Sequence, residues 1–594
     1  MSDITLTNRQ PPRRLILLQG LVLVILCVWL CVILHIPLYN VGGGEGVWLP
    51  WNIVAWGMVV TVILLTVLLV PAGSPVITPV AVLLFLAVAL LTLPLLWCPE
   101  PDWRVYSLPR LLGLWGGAFF YLTLLQCRFS DRQKHLFLWS VTFAAFIQGL
   151  TVLAGLFRPS LLSPLSQTFI NAAGRSGLGI FQQINVTASF LSTGFALTLA
   201  LFYRMHICHL CGSADSPVTR LLKSVYLLIL LTLLPCSVIL TQSRIGWLGG
   251  LMVYIVAIAT VLITTRKKNR KPRWAFWRPV AMTVMPLVGI VAGIWLLPGS
   301  VAEAIDHSGS NHQRILTLKI TWEMIRQHPW RGWGIGSFMM QFQHYMASRY
   351  HPNPTREFMG HPHNEILYIW MEGGIVALAG LAVMVCAVVI LLIKKRGPAR
   401  IIMAMAMLPV LLHTMVEFPL YLSVPHALIL LLIALNLDHS VRGADSKVMT
   451  DITVPRAVEI SLRSIIAVIA FWLLTVLHST YRENALLSRY EAGEQPTLNT
   501  LRKTDISWLL TLRYETDRLN MVLDEYSRNG DLRLLRAYVA ENARWLRTHT
   551  DPENYVTQVE VLHYLHRDEE ACRYQHEGRA VFPLDRRFVD SKCQ

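Results

Sequence analysis

Residues 15–36 read LILLQGLVLVILCVWLCVILHI, an unbroken run with no Asp, Glu, Lys or Arg. A helix rising 1.5 Å per residue makes such a run about 33 Å long, enough to cross a hydrocarbon core about 30 Å thick. Arg9, Arg13 and Arg14 precede it and no small-residue cleavage site stands nearby, so a retained first span is expected and not a removed signal. Comparable runs recur near 51–71, 76–96, 108–126, 135–157, 184–203, 222–240, 245–265, 279–297, 364–393, 401–418, 421–437 and 455–478. The length rule then predicts about thirteen spans. The expected fold class is all-α, a polytopic membrane helical bundle.

Bulk composition agrees. Of 594 residues, 54% are hydrophobic and 15% charged, against about a quarter charged in soluble domains. The net charge of +16 would suit nucleic acid, but its distribution argues against such a partner. Basic residues gather in short loops: Arg128, Arg132 and Lys134; Arg204, Arg220 and Lys223; Arg266 to Arg278; Lys394, Lys395, Arg396 and Arg400. That bias keeps loops cytoplasmic. With the N-terminus inside, an odd number of spans leaves the C-terminus outside and puts every one of these loops on the cytoplasmic face.

The chain divides on this reading into N-terminal membrane helices (1–157), a membrane core (158–440), a last span (441–479) and a small outer helical domain (480–594). Two outer segments are long, Arg158 to about Gln183 and Pro298 to His363, and long loops without a fold of their own are uncommon unless functional. Within the second, which makes a large outer loop of 298–363, Ile315, Leu318, Trp322 and Ile325 fall on one helical stripe, with Lys319, Glu323 and Arg326 turned away. Arg314 lies at the edge of that stripe and is expected to point towards protein or bilayer. In 480–594, Leu532, Leu534, Leu535, Tyr538 and Val539 have helical spacing.

The ten cysteines form no disulfide framework; Cys27, Cys31, Cys236 and Cys386 sit in apolar runs as small hydrophobes. His206-Ile-Cys208-His209-Leu-Cys211 resembles a small metal clip, but no second ligand pair follows, and no metal site is expected. Cys572 and Cys593 are expected outside the cytoplasm, where a bridge is chemically permitted.

Four polar clusters lie at outer ends of spans. His361-Pro362-His363-Asn364-Glu365 stands where the long loop meets a helix. Pro362 disfavours helix at His361, and Asn364 or a neighbour can cap the helix that follows. The helix dipole disfavours imidazolium there, leaving a neutral imidazole able to act as a general base. Thr241-Gln-Ser243-Arg244-Ile-Gly-Trp247 sets an arginine at the outer surface, suited to bidentate bonds with phosphate oxygens or to lipid headgroups. Gly179-Ile-Phe181-Gln-Gln183-Ile-Asn185 offers amides for sugar hydroxyls or for helix capping. His413-Thr-Met-Val-Glu417-Phe-Pro419-Leu-Tyr421 places a His and a Glu in an apolar hairpin, which is expensive unless they are used or paired. Arg314, Arg326 and Arg331 add basic groups on the same side. No phosphate-gripping Gly-rich loop with Lys and Ser/Thr is present, so an already activated donor is expected, and a polyprenyl-diphosphate-linked glycan fits.

These clusters, in this order, resemble the O-antigen ligase and polymerase superfamily of the Wzy-C type. The likeness is carried by His361-Pro-His363-Asn364-Glu365-Ile-Leu-Tyr with Glu372-Gly373-Gly374, by Ser243-Arg244-Ile-Gly-Trp, and by Arg314 with Pro329-Trp-Arg331-Gly332-Trp-Gly334-Ile-Gly336. Phe181-Gln-Gln183-Ile-Asn185-Val-Thr-Ala and Glu417-Phe-Pro419-Leu-Tyr421 look like the PglL-type protein O-oligosaccharyltransferases, which also carry a C-terminal domain after the last span. Ile184 departs from that pattern, in which Pro often follows the glutamine.

The resemblance implies a bacterial inner-membrane enzyme with its site and C-terminus periplasmic. It implies an inverting, metal-independent transfer without cofactor, from undecaprenyl-diphosphate-linked glycan to a Ser/Thr hydroxyl of an exported protein such as a pilin. A ligase acting on lipid A core and a glycan polymerase are the rival readings, and a lipid-linked glycan transporter a more distant one. Carried over by position, His363 is the base and Arg244 and Arg314 hold the diphosphate. Gln183, Asn185, His361, Asn364, Glu372, Tyr421, Glu417 and Arg331 are the expected substrate-binding residues.

Overall fold

A computed structural model describes residues 12–593 except 41–42, 72–74, 174–176, 211–215, 267–276, 298–307, 351–352, 355–358, 394–396, 439–454, 495–505 and 589–592. Every regular element among the described residues is helical. Eleven helices are long and apolar enough to cross a membrane. Ten belong to α1 (Arg13–Cys31), α2 (Pro50–Leu69), α3 (Pro79–Thr92), α4 (Pro101–Gln126), α5 (Asp131–Phe157), α7 (Ile184–Leu210), α8 (Pro217–Leu240), α9 (Arg244–Arg266), α10 (Trp277–Trp295) and α13 (Glu365–Ile393); the last is α18 (Arg456–Glu491). A short helix, α6 (Pro164–Ala173), follows α5. The runs expected as full spans at 401–418 and 421–437 need correction. They form shorter helices, α14 (Pro398–Ala404) and α15 (Leu408–His413), then α16 (Pro419–Leu422) and α17 (Val424–Leu437). Polar His413 and Glu417 interrupt the apolar run, and the chain turns there.

Large apolar side chains such as Val24, Ile255, Val468 and Phe471 point outward from their helices. In water these would be liabilities; around a bundle they form its lipid-facing belt. The helix α7 is enclosed on every side, with its whole apolar window buried. Small residues permit this. Gly194 packs so closely on Ala145 that an added Cβ would lie 2.2 Å from that methyl, and Gly246 of α9 meets Ala188 in the same way at 2.4 Å. Ser189, Ser192, Thr193 and Thr198 are buried on it, as small and hydroxylated residues are at helix interfaces in membranes.

The loop before α13 holds α11 (Ser308–Gln327) and α12 (Phe338–Arg349). The expected stripe on α11 is only partly inward. Ile325 is buried, but Ile315 and Trp322 are exposed, and the inward face carries Gln313, Thr317, Ile320, Thr321 and Met324. Part of the apolar stripe is thus turned away from the rest of the protein.

The glycine-rich stretch 329–336 has a structural explanation. Helix α13 breaks at Gly374, where φ is 66° and ψ is −161°. The loop fills the break: Trp333 N–H donates to Met371 O (2.8 Å), Gly334 N–H to Glu372 O (3.1 Å), and Ile375 N–H to Trp330 O (3.2 Å). Two backbones touch, so neither tolerates a side chain. A Cβ on Gly374 would lie 2.2 Å from Trp330 O, and one on Gly332 would lie 2.5 Å from Glu372 O.

The final span continues beyond 479 to Glu491. Beyond it, α19 (Thr511–Asn529), α20 (Leu532–Trp545), α21 (Pro552–Tyr564) and α22 (Asp568–Val581) form two consecutive helix pairs. Leu535, Tyr538 and Val539 of α20 are buried as their spacing suggests, although Leu532 is exposed. Cys572 and Cys593 are bridged. The domain rests on the bundle end where α4 begins: Trp103 Nε1 donates to Thr548 O (3.0 Å), and Tyr106 Oη donates to Glu515 Oε2 (2.6 Å). It also meets α12's loop, where Asn353 Nδ2 donates to Ala580 O (3.1 Å). The His206–Cys211 stretch lies outside the described side chains.

Gly374→Ala is expected to cost about 1–3 kcal/mol from the strained φ, and more from the backbone clash. Thermal unfolding of the detergent-solubilised protein reads this as a lowered midpoint. Gly57→Ala, where nothing lies within 4 Å, is the control and should leave the midpoint unchanged or raise it.

Candidate functional site

Glu417 lies in the turn between α15 and α16, 8% exposed, and its carboxylate gathers donors from distant segments. Gln183 Nε2 donates to Oε2 (2.8 Å) and Asn185 Nδ2 to Oε1 (2.8 Å). His413 Nε2 lies 2.9 Å from Oε2, and an Arg314 Nη lies 3.5 Å from Oε1. Burial works against the charge, but the hydrogen bond and charge of His413, the Asn185 amide and Arg314 outweigh it and hold the carboxyl below its ordinary range. Beneath it a chain of polar contacts enters the bundle. His413 Nδ1 lies 3.1 Å from Ser189 Oγ, which lies 3.3 Å from His426 Nε2, and His426 Nδ1 lies 2.8 Å from Ser423 Oγ.

Gln183 and Asn185 are spent within the protein. Gln183 Oε1 caps α7 by accepting from Val186 N–H (2.6 Å), and Asn185 Oδ1 accepts from Ser243 Oγ (2.6 Å). Through Ser243 the start of α9, where Arg244 stands, is tied to the start of α7. Gln183, Asn185 and Glu417, expected to bind substrate, here bond to one another and to Ser243, and join three segments into one wall.

His363 occupies the turn before α13 with φ of 56°. Gln182 (55°) and Gln242 (57°) share this left-handed conformation, which costs a non-glycine residue about 1–3 kcal/mol. All three stand in the polar clusters at helix starts. Local partners hold the His363 turn: His363 N–H donates to His361 Nδ1 (2.9 Å), Asn364 Oδ1 caps α13 by accepting from Leu367 N–H (3.1 Å), and Glu365 N–H donates to Thr414 O (3.0 Å). Burial, then the positive charge of Arg314, then His361, push the His363 imidazole down to about 4, against the opposing pull of Glu417 and the Val416 carbonyl. The ring is neutral at neutral pH, and among the described residues its buried Nδ1 has no hydrogen-bond partner.

A second group adjoins it. Tyr421 Oη donates to Glu365 Oε1 (2.7 Å), while Glu365 Oε2 faces His361 Nε2 at 3.7 Å. Phe418 and Tyr368 flank the His361 ring at 4.6 and 4.4 Å between centroids. Asn364 is taken up by its cap and by Met415 O (3.3 Å), so it shapes the turn. Glu372, expected to bind substrate, is 2% exposed, pairs with Arg110 at 2.7 Å and accepts from Phe338 N–H (3.3 Å). Arg331 is exposed, and its carbonyl accepts from Trp97 Nε1 (2.9 Å).

The structure thus brings His363, Arg314, Glu417, Gln183 and Asn185 together, with Arg244 beside Ser243 and with His361 and Tyr421 adjoining. Sequence reasoning did not assign Glu365, His413, His426 or Arg110. An ionisable residue inside an apolar run is itself a signal, and it would have singled out Arg110 and His426.

Glu417→Gln would turn an amide towards donors that need an acceptor, and an unpaired buried polar group costs about 1–3 kcal/mol. A midpoint lowered by several degrees in thermal unfolding is expected, with His413→Ala lowering it less. An unchanged midpoint for Glu417→Gln would remove the carboxylate from its organising role.

Two known families match parts of the chain. Residues 227–382 match the family described as O-antigen ligase, and residues 402–593 match the one described as virulence factor membrane-bound polymerase, C-terminal. No curated protein matches the chain. The first match contains Arg244, Arg314 and His363 and the second contains Glu417. The chain is a member of the O-antigen ligase and polymerase superfamily of Wzy-C type, a group of membrane glycosyltransferases.

Proposed function

We propose that the protein moves an oligosaccharide en bloc from undecaprenyl diphosphate to a Ser/Thr hydroxyl of an exported protein such as a pilin, on the periplasmic side of the bacterial inner membrane. The observation that carries this reading is the neutral, half-buried His363 beside Arg314 and Glu417. The described basic residues support the orientation, since Arg128, Lys134, Arg220 and Arg400 lie at the opposite ends of the helices from this cluster.

The acceptor hydroxyl gives its proton to His363 as its oxygen bonds to the anomeric carbon. The bond from that carbon to the diphosphate breaks on the opposite face, and the electron pair leaves with the diphosphate. Charge grows on the leaving group, and Arg244 and Arg314 compensate it more in the transition state than in the bound donor. The two guanidinium groups supply this charge, so the proposed reaction needs no metal or other cofactor. A positioned base contributes about 10²–10⁴-fold. The proton on His363 is short-lived, because Arg314 repels it. Glu417 holds Arg314 at the site while leaving it partly exposed.

A second reading has a specific support: the description of the match over 402–593 names a polymerase, for which the acceptor is a glycan hydroxyl. Membranes supplied with a defined lipid-linked glycan, a pilin and lipid A core distinguish these by mass spectrometry. Glycan on Ser/Thr of the pilin is expected; glycan only on lipid A core, or only as longer lipid-linked chains, would overturn the protein acceptor.

Transfer should be abolished by His363→Ala and strongly slowed by Arg244→Lys, which keeps the charge but loses the planar fork. In the parent, kcat/KM is expected to stay level from pH 8 down to about pH 5 and to fall as pH drops through about 4. Arg314→Gln removes a charge that disfavours imidazolium, so its acid limb should move to higher pH. A parent limb near about 6.5, the ordinary imidazole value, would contradict the assignment of His363.

A further inference from the structure

The outer domain carries a corner that the transfer reaction does not use. His563, at the end of α21, donates from Nδ1 to Asp568 Oδ1 at 2.7 Å at the start of α22. That bond leaves the Nε2 lone pair pointing away from Asp568, and Nε2 lies 3.9 Å from Cys593 Sγ. The ligand atoms of His563, Cys572 and Cys593 all lie within 4.8 Å of one another. An imidazole fixed by a carboxylate on one nitrogen and facing two sulfurs with the other is the arrangement that metal-binding histidines adopt.

The two sulfurs are bonded to each other, and a disulfide is not a metal ligand. We propose that this corner is convertible: bridged under oxidising conditions, and a site for one Zn2+ once a dithiol has opened the bridge. The opening is thiol exchange. The dithiol is oxidised to its own disulfide and its two hydrogens pass to Cys572 and Cys593. The two thiols then lose two protons as their sulfurs and His563 Nε2 take the ion, with water as the fourth ligand. Zinc–sulfur bonds of about 2.3 Å in a tetrahedral site set the sulfurs roughly 3.8 Å apart, within the compass of the present cluster.

The corner has something to hold. Cys593 follows Phe588, whose ring is 2% exposed and presses on α22 so closely that a Cβ on Gly578 would lie 2.5 Å from it. Phe588 shares a core with Leu546 and Tyr555. Either linkage, sulfur–sulfur or sulfur–metal–sulfur, ties Cys593 to α22 through Cys572. Spacing in the sequence gives no sign of such a site, because the ligands come from three different places in the chain.

The test uses the full chain in detergent, reduced with a dithiol, freed of dithiol and metal under inert gas, and titrated with Co2+ and then Zn2+. One equivalent of Co2+ is expected to give a thiolate charge-transfer band that Zn2+ abolishes, with no band in unreduced protein. Other cysteines are controlled by the Cys572→Ser, Cys593→Ser double variant, which should lose this equivalent. His563→Ala should weaken binding at least tenfold, and Asp568→Asn by about 10–100-fold, as loss of an outer partner does. Size-exclusion elution of each variant checks that it is folded. Absence of the band in reduced parent, its survival in the double variant, or equal affinity of His563→Ala would each overturn the proposal.

Discussion

A single buried carboxylate, that of Glu417, is the constraint from which the site follows. Removing an ion from water costs several kcal/mol unless its lone pairs are met. No neighbour in its own turn except His413 can meet them. The chain satisfies Glu417 with Gln183 and Asn185 from the start of α7 and Arg314 from α11. These residues lie up to 234 positions away in sequence. Low dielectric makes each bond stronger and each missing partner costlier, so the three segments are held in register or not at all.

The same arrangement sets the electrostatics next to it. Arg314 is attracted by Glu417 and, after burial, is the next largest influence that keeps His363 unprotonated. The helix starts at 182, 242 and 363 all use left-handed residues that are not glycine, and strain of this kind persists only where the surroundings over-determine it. Here the surroundings are the capping amides, the Ser243–Asn185 bond and the Tyr421–Glu365 pair. The glycine stretch 329–336 contributes at one remove: by filling the break in α13 it fixes Glu372 on Arg110, below the turn that carries His363. The glycosyl transfer proposed above would use a neutral base close to positive charge, and His363 and Arg314 are placed to supply the two.

Much of the bundle was legible because a membrane imposes a length and an apolar composition that can be read in one dimension. The run at 401–418 misled because length was counted across His413 and Glu417, where the chain turns, and the run at 421–437 because its helix starts only at Val424. The four polar clusters were legible for the complementary reason, as polar groups where apolar ones are expected. Their pairings were not. Nothing in the spacing of Gln183 or Asn185 says that their amides face Glu417, nor that Glu372 is braced by Arg110, since both facts arise between segments far apart in the chain. The stripe on α11 was misjudged at Ile315 and Trp322 because apolar periodicity does not distinguish a face turned to protein from one turned to lipid. His426 escaped notice within an apolar helix, although a buried imidazole there had to have partners.

The central claim is that Arg314 and Glu417 act as one unit. A double-mutant cycle on thermal stability and transfer rate, with Arg314→Gln, Glu417→Gln and the pair together, measures this directly. The account predicts a coupling above about 1 kcal/mol, with the double variant much less impaired than the sum of the single losses. Losses that simply add would show the two groups to be independent, and the organising role given to the carboxylate would fall.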